Sequence, residues 1–239
     1  GGEIFRVEET IKRICGRFHV NHVDIFSMSH GIFVSAENEN GEAYTKVNHV
    51  PLSSSHLGIV AEVNELSREI SAGRVKLEEA EERLEKIEKI PPKKRWFQYM
   101  AAGLASGTFA LMLGSSVLEA VAAFLIGFLS YVWVLFAGKH NLSKIIVNIV
   151  GGVIMTVLAL AFMHIPFLPI LKLDGMMVGA IMPMIPGVAF VNAIRDIADT
   201  DFLSGLVRMI DALLVFVYIA IGVGVTLSIY NTMMGGILR

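Results

Sequence analysis

The sequence predicts an α-helical membrane protein in which a small soluble α+β domain precedes five transmembrane segments. Three observations lead to this class. First, 54% of the 239 residues are hydrophobic and the mean hydropathy is +0.62, which is too apolar for a soluble domain. Second, most charged residues lie before residue 96. Third, the apolar stretches after Trp96 approach the roughly 20 residues that a helix needs to cross a bilayer.

Residues 1–92 are predicted to form the soluble domain, with three helices and three strands. The helices follow from apolar residues at a spacing of three and four, and the strands from apolar runs between turn residues. Asn40-Gly41 is typical of a tight hairpin turn, and Gly73 is expected to end the second helix. The predicted elements are helix 4–18, strands 23–28, 31–37 and 42–47, and helices 56–70 and 77–90.

Residues 93–239 are predicted to form the transmembrane domain. The basic run 93–95 followed by Trp96 is typical of a cytoplasmic membrane interface. The predicted spans are about 97–113, 117–137, 144–163, 174–198 with a break at 183–187, and 203–230. Three glycines in and after the first span predict close helix packing, namely Gly103, Gly107 and Gly114.

The basic residues also predict the orientation of the chain. If the soluble domain is cytoplasmic, the outer segments carry only Lys172 and Arg239, as the positive-inside rule requires. An odd number of spans then places the C-terminus outside. The cytoplasmic segments carry the remaining basic residues of this part, which are Lys93, Lys94, Arg95, Lys139, Lys144, Arg195 and Arg208.

The fourth span contains the motif Pro183-x-x-Pro186-Gly187, which cannot continue a straight helix because each proline lacks an N–H and clashes with the preceding turn. Counting 1.5 Å per residue from Asp174 places this break near the bilayer midplane. Broken helices at this depth form the substrate sites of many transporters. The helix after Gly187 would direct its N–H groups and positive dipole end into the break, where they suit a carboxylate. A simple kink is the alternative interpretation.

A polar cluster follows the break directly. Asn192 lies about one turn after Gly187 and is expected to hydrogen-bond a substrate hydroxyl or amine. We expect Asn192→Ala and Asp196→Ala to abolish transport in a protein that still folds and inserts. The candidate substrate-binding residues are Pro183, Pro186, Gly187, Asn192, Arg195 and Asp196. The candidate coupling or gating residues are Asp201, Ser204, Arg208, Asp211 and Glu119.

Two of these carboxylates have alternative interpretations. Asp211 follows Arg208 by three residues on the same helix face, which predicts either a structural ion pair or a proton-coupling carboxylate. Coupling is considered because export against a gradient needs an energy source and the chain has no nucleotide-binding motif. Glu119 lies near the outer end of its span, where it could instead reach the lipid headgroups.

The run PGVAFVNAIRDIADTDFLSGLVRMIDA, from Pro186 to Ala212, resembles the P-G-x-x-x-x-N-A-I-R-D … D-x-x-S-G-x-x-R signature of the threonine/serine exporter family. The N-terminal run GGEIFRVEETIKRI is similar to the opening segment of that family. The resemblance implies a proton-driven secondary exporter in a prokaryotic inner membrane. Fused members carry two membrane halves and this chain resembles the first, which implies a small companion membrane subunit.

Other functions remain open at this point. The same fold could export a dicarboxylate such as succinate. Alternatively, residues 1–90 could be a hydrolase that the spans anchor to the membrane. The run Ser53-Ser54-Ser55-His56 is the tempting feature, but adjacent Ser and His residues in a sequence do not indicate a catalytic pair, and no catalytic motif is recognised. Residues 1–90 could also mediate a homo-oligomer. The single Cys15 excludes an internal disulfide, and no cofactor, metal or nucleic acid is expected.

Overall fold

The computed structural model describes residues 4–18, 20–28, 31–37, 41–50, 56–166 and 171–234. These residues are mostly helical, with one three-stranded sheet near the N-terminus. In chain order the elements are α1 (Ile4–Arg17), β1 (Asn21–Met28), β2 (Gly31–Glu37), β3 (Ala43–His49), α2 (Leu57–Ser71), α3 (Leu77–Glu88), α4 (Arg95–Met112), α5 (Val117–Lys139), α6 (Lys144–Met163), α7 (Leu173–Ile181), a 3-10 turn (Met182–Met184), α8 (Gly187–Ala198) and α9 (Phe202–Met233).

The chain divides into two compact units. The first comprises Gly1–Pro92 together with Val191–Met209, and the second comprises Lys93–Phe190 together with Ile210–Arg239. The end of α8 and the start of α9 therefore group with the N-terminal elements, which the sequence pattern did not indicate. The cytoplasmic and transmembrane placement of residues 1–92 and 93–239 stays a prediction.

The predicted sheet is confirmed. Its strands are antiparallel in the order β1-β2-β3, with Met28 opposite Gly31 and Glu37 opposite Ala43. Asn40 of the predicted turn lies outside the described residues. Gly41 has a φ of +78°, a backbone conformation that favours glycine.

The helices of the first unit pack through a small apolar core. Gly73 ends α2 as predicted, with a φ of +69° directly after the C-cap. Ile14 of α1 and Val63 of α2 pack against the core, which is formed by Leu66, Ile70, Ala80 and Ile87. The amphipathic patterns of α1, α2 and α3 are thus explained by one shared core.

Glycines allow α4 and α5 to approach closely. A Cβ atom at Gly103 would lie 2.9 Å from the carbonyl oxygen of Phe124, and one at Gly107 would lie 3.0 Å from that of Ala120. The packing prediction is therefore confirmed for these two glycines. It is wrong for Gly114, which has a φ of +87° in the turn before α5 and nothing within 4 Å of its Cβ position.

The core of the second unit is apolar and is shared by α5, α6, α7 and α9. A Cβ atom at Gly152 of α6 would lie 2.7 Å from the carbonyl oxygen of Ile219, so α6 and α9 also depend on a close glycine contact. The most buried core side chains include Ile126, Met155 and Met176.

Three described helices are long and apolar enough to cross a membrane: α5, α6 and α9. The number rises to four if α7 and α8, which are bent by 61° at their junction, count as one span. Helix α4 covers the first predicted span but is not among the three helices that meet these criteria. The count of five spans therefore stays a prediction.

Candidate functional site

The proline motif lies where α7 and α8 meet. Helix α7 ends at Ile181, Pro183 lies in the 3-10 turn, and α8 begins at Gly187 directly after Pro186. The Ile185 N–H donates to the Met182 carbonyl at 3.2 Å, and the Gly187 N–H donates to the Ile185 carbonyl at 2.8 Å. The bend is compatible with a broken span or with a re-entrant loop, so its membrane depth stays a prediction.

The space beside Gly187 is open, since no atom lies within 4 Å of its Cβ position. The residue before it, Pro186, has no side-chain oxygen with which to cap α8. The first N–H groups of α8 therefore lack the capping contact that Ser, Thr, Asn or Asp would make at this position.

The polar signature that follows the break forms a helical hairpin, which we call the α8–α9 hairpin (residues 191–209). Helix α8 ends at Ala198, and Thr200 in the turn has a φ of +71°. The Asp201 carboxylate accepts the Ser204 N–H at 3.2 Å, which is an N-cap on α9. A Cβ atom at Gly205 would lie 2.9 Å from the Ala193 carbonyl oxygen, so the two helices touch at this glycine.

A buried ion pair joins the two helices of the hairpin. Arg208 Nη1 donates to Asp196 Oδ2 at 2.9 Å, and the side chains are only 17% and 4% exposed. The predicted pair between Arg208 and Asp211 is wrong. Asp211 instead accepts from Lys144 Nζ of α6 at 2.5 and 2.7 Å. The α8–α9 turn brings Asp196 to Arg208, and this turn geometry overrides the three-residue spacing that suggested the other pair.

Arg195 and Asn192 lie on α8 beside this ion pair. The Arg195 guanidinium lies 5.9 Å from the centre of the Phe5 ring in α1, within cation–π range. Asn192 is half-buried, and Ser204 on α9 is only 1% exposed. Sequence reasoning missed Phe5, although a large aromatic residue off the apolar face of α1 is a signal for such a contact.

Glu119 is buried at the start of α5. Its Oε2 accepts the Ser116 N–H at 2.7 Å and its Oε1 accepts the Lys172 N–H at 2.8 Å. The Glu119 N–H donates in turn to Ser116 Oγ, which completes a capping box. With 5% exposure and both oxygens bound by backbone N–H groups, this carboxylate is directed into the protein, and its position relative to the headgroups stays a prediction. The spacing Ser116-x-x-Glu119 was a capping signal that sequence reasoning did not use.

The predicted site residues thus fall into local groups. Pro183, Pro186 and Gly187 form the turn between α7 and α8. The hairpin holds Asp196 against Arg208 and Asp201 against Ser204. In the described part of the chain, no group of three His, Cys, Asp or Glu side chains could hold a metal ion.

Comparison with known proteins identifies the family. The model of the threonine/serine exporter family, ThrE, matches residues 1–230. The chain is also 25% identical over 214 residues to a threonine/serine exporter of Corynebacterium glutamicum, which covers 88% of this chain but only 44% of that relative. No solved structure matches. Apolar helices of spanning length and the family match agree on a multi-pass membrane protein. This chain belongs to the threonine/serine exporter family.

Proposed function

We propose that the chain is one subunit of a secondary active exporter of threonine and serine in the inner membrane of a prokaryote. Membership of the exporter family supports the transport function and the substrate class. The observation that carries the proposal is the open space beside Gly187 at the start of α8, where Pro186 offers no side-chain cap to the N–H groups that follow Gly187; the Gly187 N–H itself is bonded to the Ile185 carbonyl. Such a helix start is suited to an anionic group.

The substrate carboxylate binds at this start of α8. The first N–H groups of an α-helix have no partner within the helix, and the helix dipole favours negative charge at this end. The open space beside Gly187 leaves room for a carboxylate to approach the backbone. A side chain larger than hydrogen at this position would fill part of that space. Gly187 is therefore required for access.

Asn192 lies further along α8 and contributes the polar specificity of the site. Its amide can donate to and accept from a substrate hydroxyl or amine. Arg195 and Asp196 hold this part of α8 in position, since Arg195 lies over Phe5 and Asp196 binds Arg208. The buried ion pair fixes the angle of α8 against α9 and thereby the direction of the amide.

Export is driven by the proton-motive force, and Asp211 is the carboxylate that takes up the proton. It lies on α9 and pairs with Lys144 of α6, and both side chains are partly exposed, at 34% and 54%. Protonation of Asp211 would remove the charge that holds Lys144, which frees α6 from α9. The other four candidate residues then stabilise the helices that move, and they are Asp201, Ser204, Arg208 and Glu119.

A companion membrane subunit completes the transporter. The chain spans 44% of the length of its exporter relative, which leaves room in that relative for a second membrane half. Exposed N–H groups at the start of α8 would cost several kcal/mol each in lipid unless another surface covers them. Inverted-repeat transporters cover such a site with their second half. A second copy of this chain is the alternative cover.

The hydrolase alternative has little local support. His56 Nδ1 accepts the Ile59 N–H at 3.1 Å, so this ring caps α2. Ser53, Ser54 and Ser55 lie outside the described residues. A dicarboxylate exporter is the stronger rival, because it would use the same helix start for one of its two carboxylates.

Counterflow into proteoliposomes tests the function. Labelled threonine, serine and succinate are compared with and without the companion subunit, and with and without a protonophore. Asn192→Ala should reduce threonine counterflow at least tenfold, whereas Ile194→Ala, at an exposed apolar position of the same helix, should leave it unchanged. Full transport by the chain alone would contradict the two-subunit proposal. Preference for succinate would contradict the substrate class.

A further inference from the structure

A polar cleft lies in the second unit, at the end of α7 that is away from the proline turn. Its volume is about 690 Å³, within the range of roughly 300–1,000 Å³ that is usual for small-molecule sites. Its walls are the turn before α5 with the start of that helix, and residues 171–175 at the start of α7. Five polar residues and one glycine that line it are Ser115, Ser116, Glu119, Lys172, Asp174 and Gly175.

The buried carboxylate of Glu119 holds together the two segments that line this cleft. Its two oxygens accept the backbone N–H groups of Ser116 and Lys172, one from each wall. The two segments are therefore held at a fixed separation. Gly175 contributes to the fit, because a Cβ atom there would lie 2.6 Å from Ser115 Oγ.

Two opposite charges line the cleft, and no ion pair joins them among the described residues; the Lys172 charge also acts on the buried Glu119 carboxylate. Lys172 and Asp174 are both exposed, and the salt bridges found among the described residues do not include a pair between them. Asp174 Oδ1 accepts the neighbouring Gly175 N–H at 3.0 Å, and no other hydrogen bond to this carboxylate is found among the described residues. An ammonium group and a carboxylate are thus both available to a ligand in the same cleft.

We infer that this cleft is the release-side subsite of the exporter and that it takes a zwitterionic amino acid. Lys172 binds the α-carboxylate, Asp174 binds the α-ammonium group, and Ser115, which also lines the cleft, binds the side-chain hydroxyl of threonine or serine. A dicarboxylate fits poorly, since its second carboxylate would face Asp174 and Glu119. This inference rests on the proposed function and on its orientation, and it distinguishes the two candidate substrate classes.

The position of α7 connects the two sites. Its nine residues rise about 13 Å, with the cleft at the N-terminal end and the open start of α8 beyond the C-terminal end. Substrate that leaves the proline turn would therefore travel the length of α7 to reach the cleft. In the proposed orientation this direction is outward, because Asp174 lies at the outer end of the fourth segment.

The test measures binding and transport separately. Purified protein is titrated with labelled threonine and with succinate, and proteoliposomes containing the companion subunit report inhibition of export by external threonine. Lys172→Gln and Asp174→Asn should each weaken threonine binding and raise the inhibition constant of external threonine about tenfold, as expected for one charge-assisted contact. The KM for internal threonine should stay unchanged. Lys139→Gln, an exposed lysine at the end of α5, is the matched control and should have no effect.

The outcomes separate this inference from the proposed function. If both variants weaken threonine binding, the cleft inference is supported. If the protein binds threonine in this way but exports nothing, the proposed function is refuted and the cleft inference stands. Export with unchanged inhibition constants in both variants overturns the cleft and leaves the exporter intact. Succinate binding that Lys172→Gln weakens as much as threonine binding also overturns it, because the cleft would then not distinguish the two substrate classes. Absence of threonine binding to the folded wild-type protein overturns it as well.

Discussion

The buried pair between Asp196 and Arg208 offers the sharpest test of how the signature motif works. The Arg208 guanidinium donates to the Asp196 carboxylate at 2.9 Å, with side-chain exposures of 17% and 4%. The perturbations are Asp196→Ala, Arg208→Ala and the double variant. Because the pair joins α8 to α9, we expect each single change to destabilise the hairpin rather than only to remove a substrate contact.

The magnitude follows from the charge that is left behind. Removing one partner of a buried ion pair costs about 3–5 kcal/mol, because the remaining charge stays desolvated. Removing both partners leaves no buried charge, so the double variant should lose less than the sum of the two single variants, with a coupling of up to about 3 kcal/mol. At about 2–4 °C per kcal/mol for a chain of this size, each single variant should lower the melting temperature by roughly 6–20 °C.

The assay is thermal unfolding of the purified protein in mild detergent. Asp196→Asn keeps the shape and one acceptor, so its melting temperature should fall less than that of Asp196→Ala. Glu82→Ala is the control, since its pair with Lys86 is exposed and should leave the melting temperature unchanged. The reasoning is refuted if the two single losses add in the double variant, or if neither single variant lowers the melting temperature. Loss of transport in a fully stable Asp196→Ala protein would instead favour the direct substrate role expected from the sequence.

Two further predictions concern the first unit. Gly205→Ala should lower the free energy of unfolding by about 1–3 kcal/mol, because the new Cβ atom would lie 2.6 Å from Ile197 Cγ1. Gly224→Ala is the control and should be tolerated, since nothing lies within 4 Å of its Cβ position. Equal melting temperatures of the two variants would contradict this prediction. Burial raises the pKa of the Cys15 thiol, and the thiolate is the form that reacts with maleimide. Labelling at pH 8 should therefore be slower for the folded protein than for urea-unfolded protein. The pH at which the labelling rate is half-maximal should be higher for the folded protein. Labelling at equal rates would show that the thiol is not shielded, and Cys15→Ser supplies the unlabelled control because the chain has no other cysteine.

Local pattern predicted most of the elements correctly. The apolar spacing around Ile14 and Leu66 predicts α1 and α2, because burying one helix face requires that period. Gly73 ends α2 for a local reason, since its φ of +69° is accessible to glycine at little cost. The resemblance in the motif around Asn192 was sufficient to predict the family, which the match over residues 1–230 shows.

The ion pairs were not predictable in the same way. Along a single helix, Arg208 and Asp211 are neighbours, so spacing alone favours a pair between them. The turn at Thr200 folds α8 back on α9 and brings Asp196 within 2.9 Å of Arg208. The partner that a charged side chain binds depends on distances and burial in the folded protein. The spacing of residues along the sequence specifies neither of these.

By itself the sequence predicted a mostly helical chain with apolar helices of spanning length and a small three-stranded sheet, most of its helices and strands, and the family. The tertiary structure decided which charges meet, as with Asp211 and Lys144, which lie 67 positions apart in the chain. It also decided that Glu119 is a buried capping residue that joins two segments and shapes a cleft beside Lys172 and Asp174. The physical reason is that secondary structure follows from short-range periodicity and backbone sterics, whereas charge pairing and cavities arise only when distant segments exclude water from the same space.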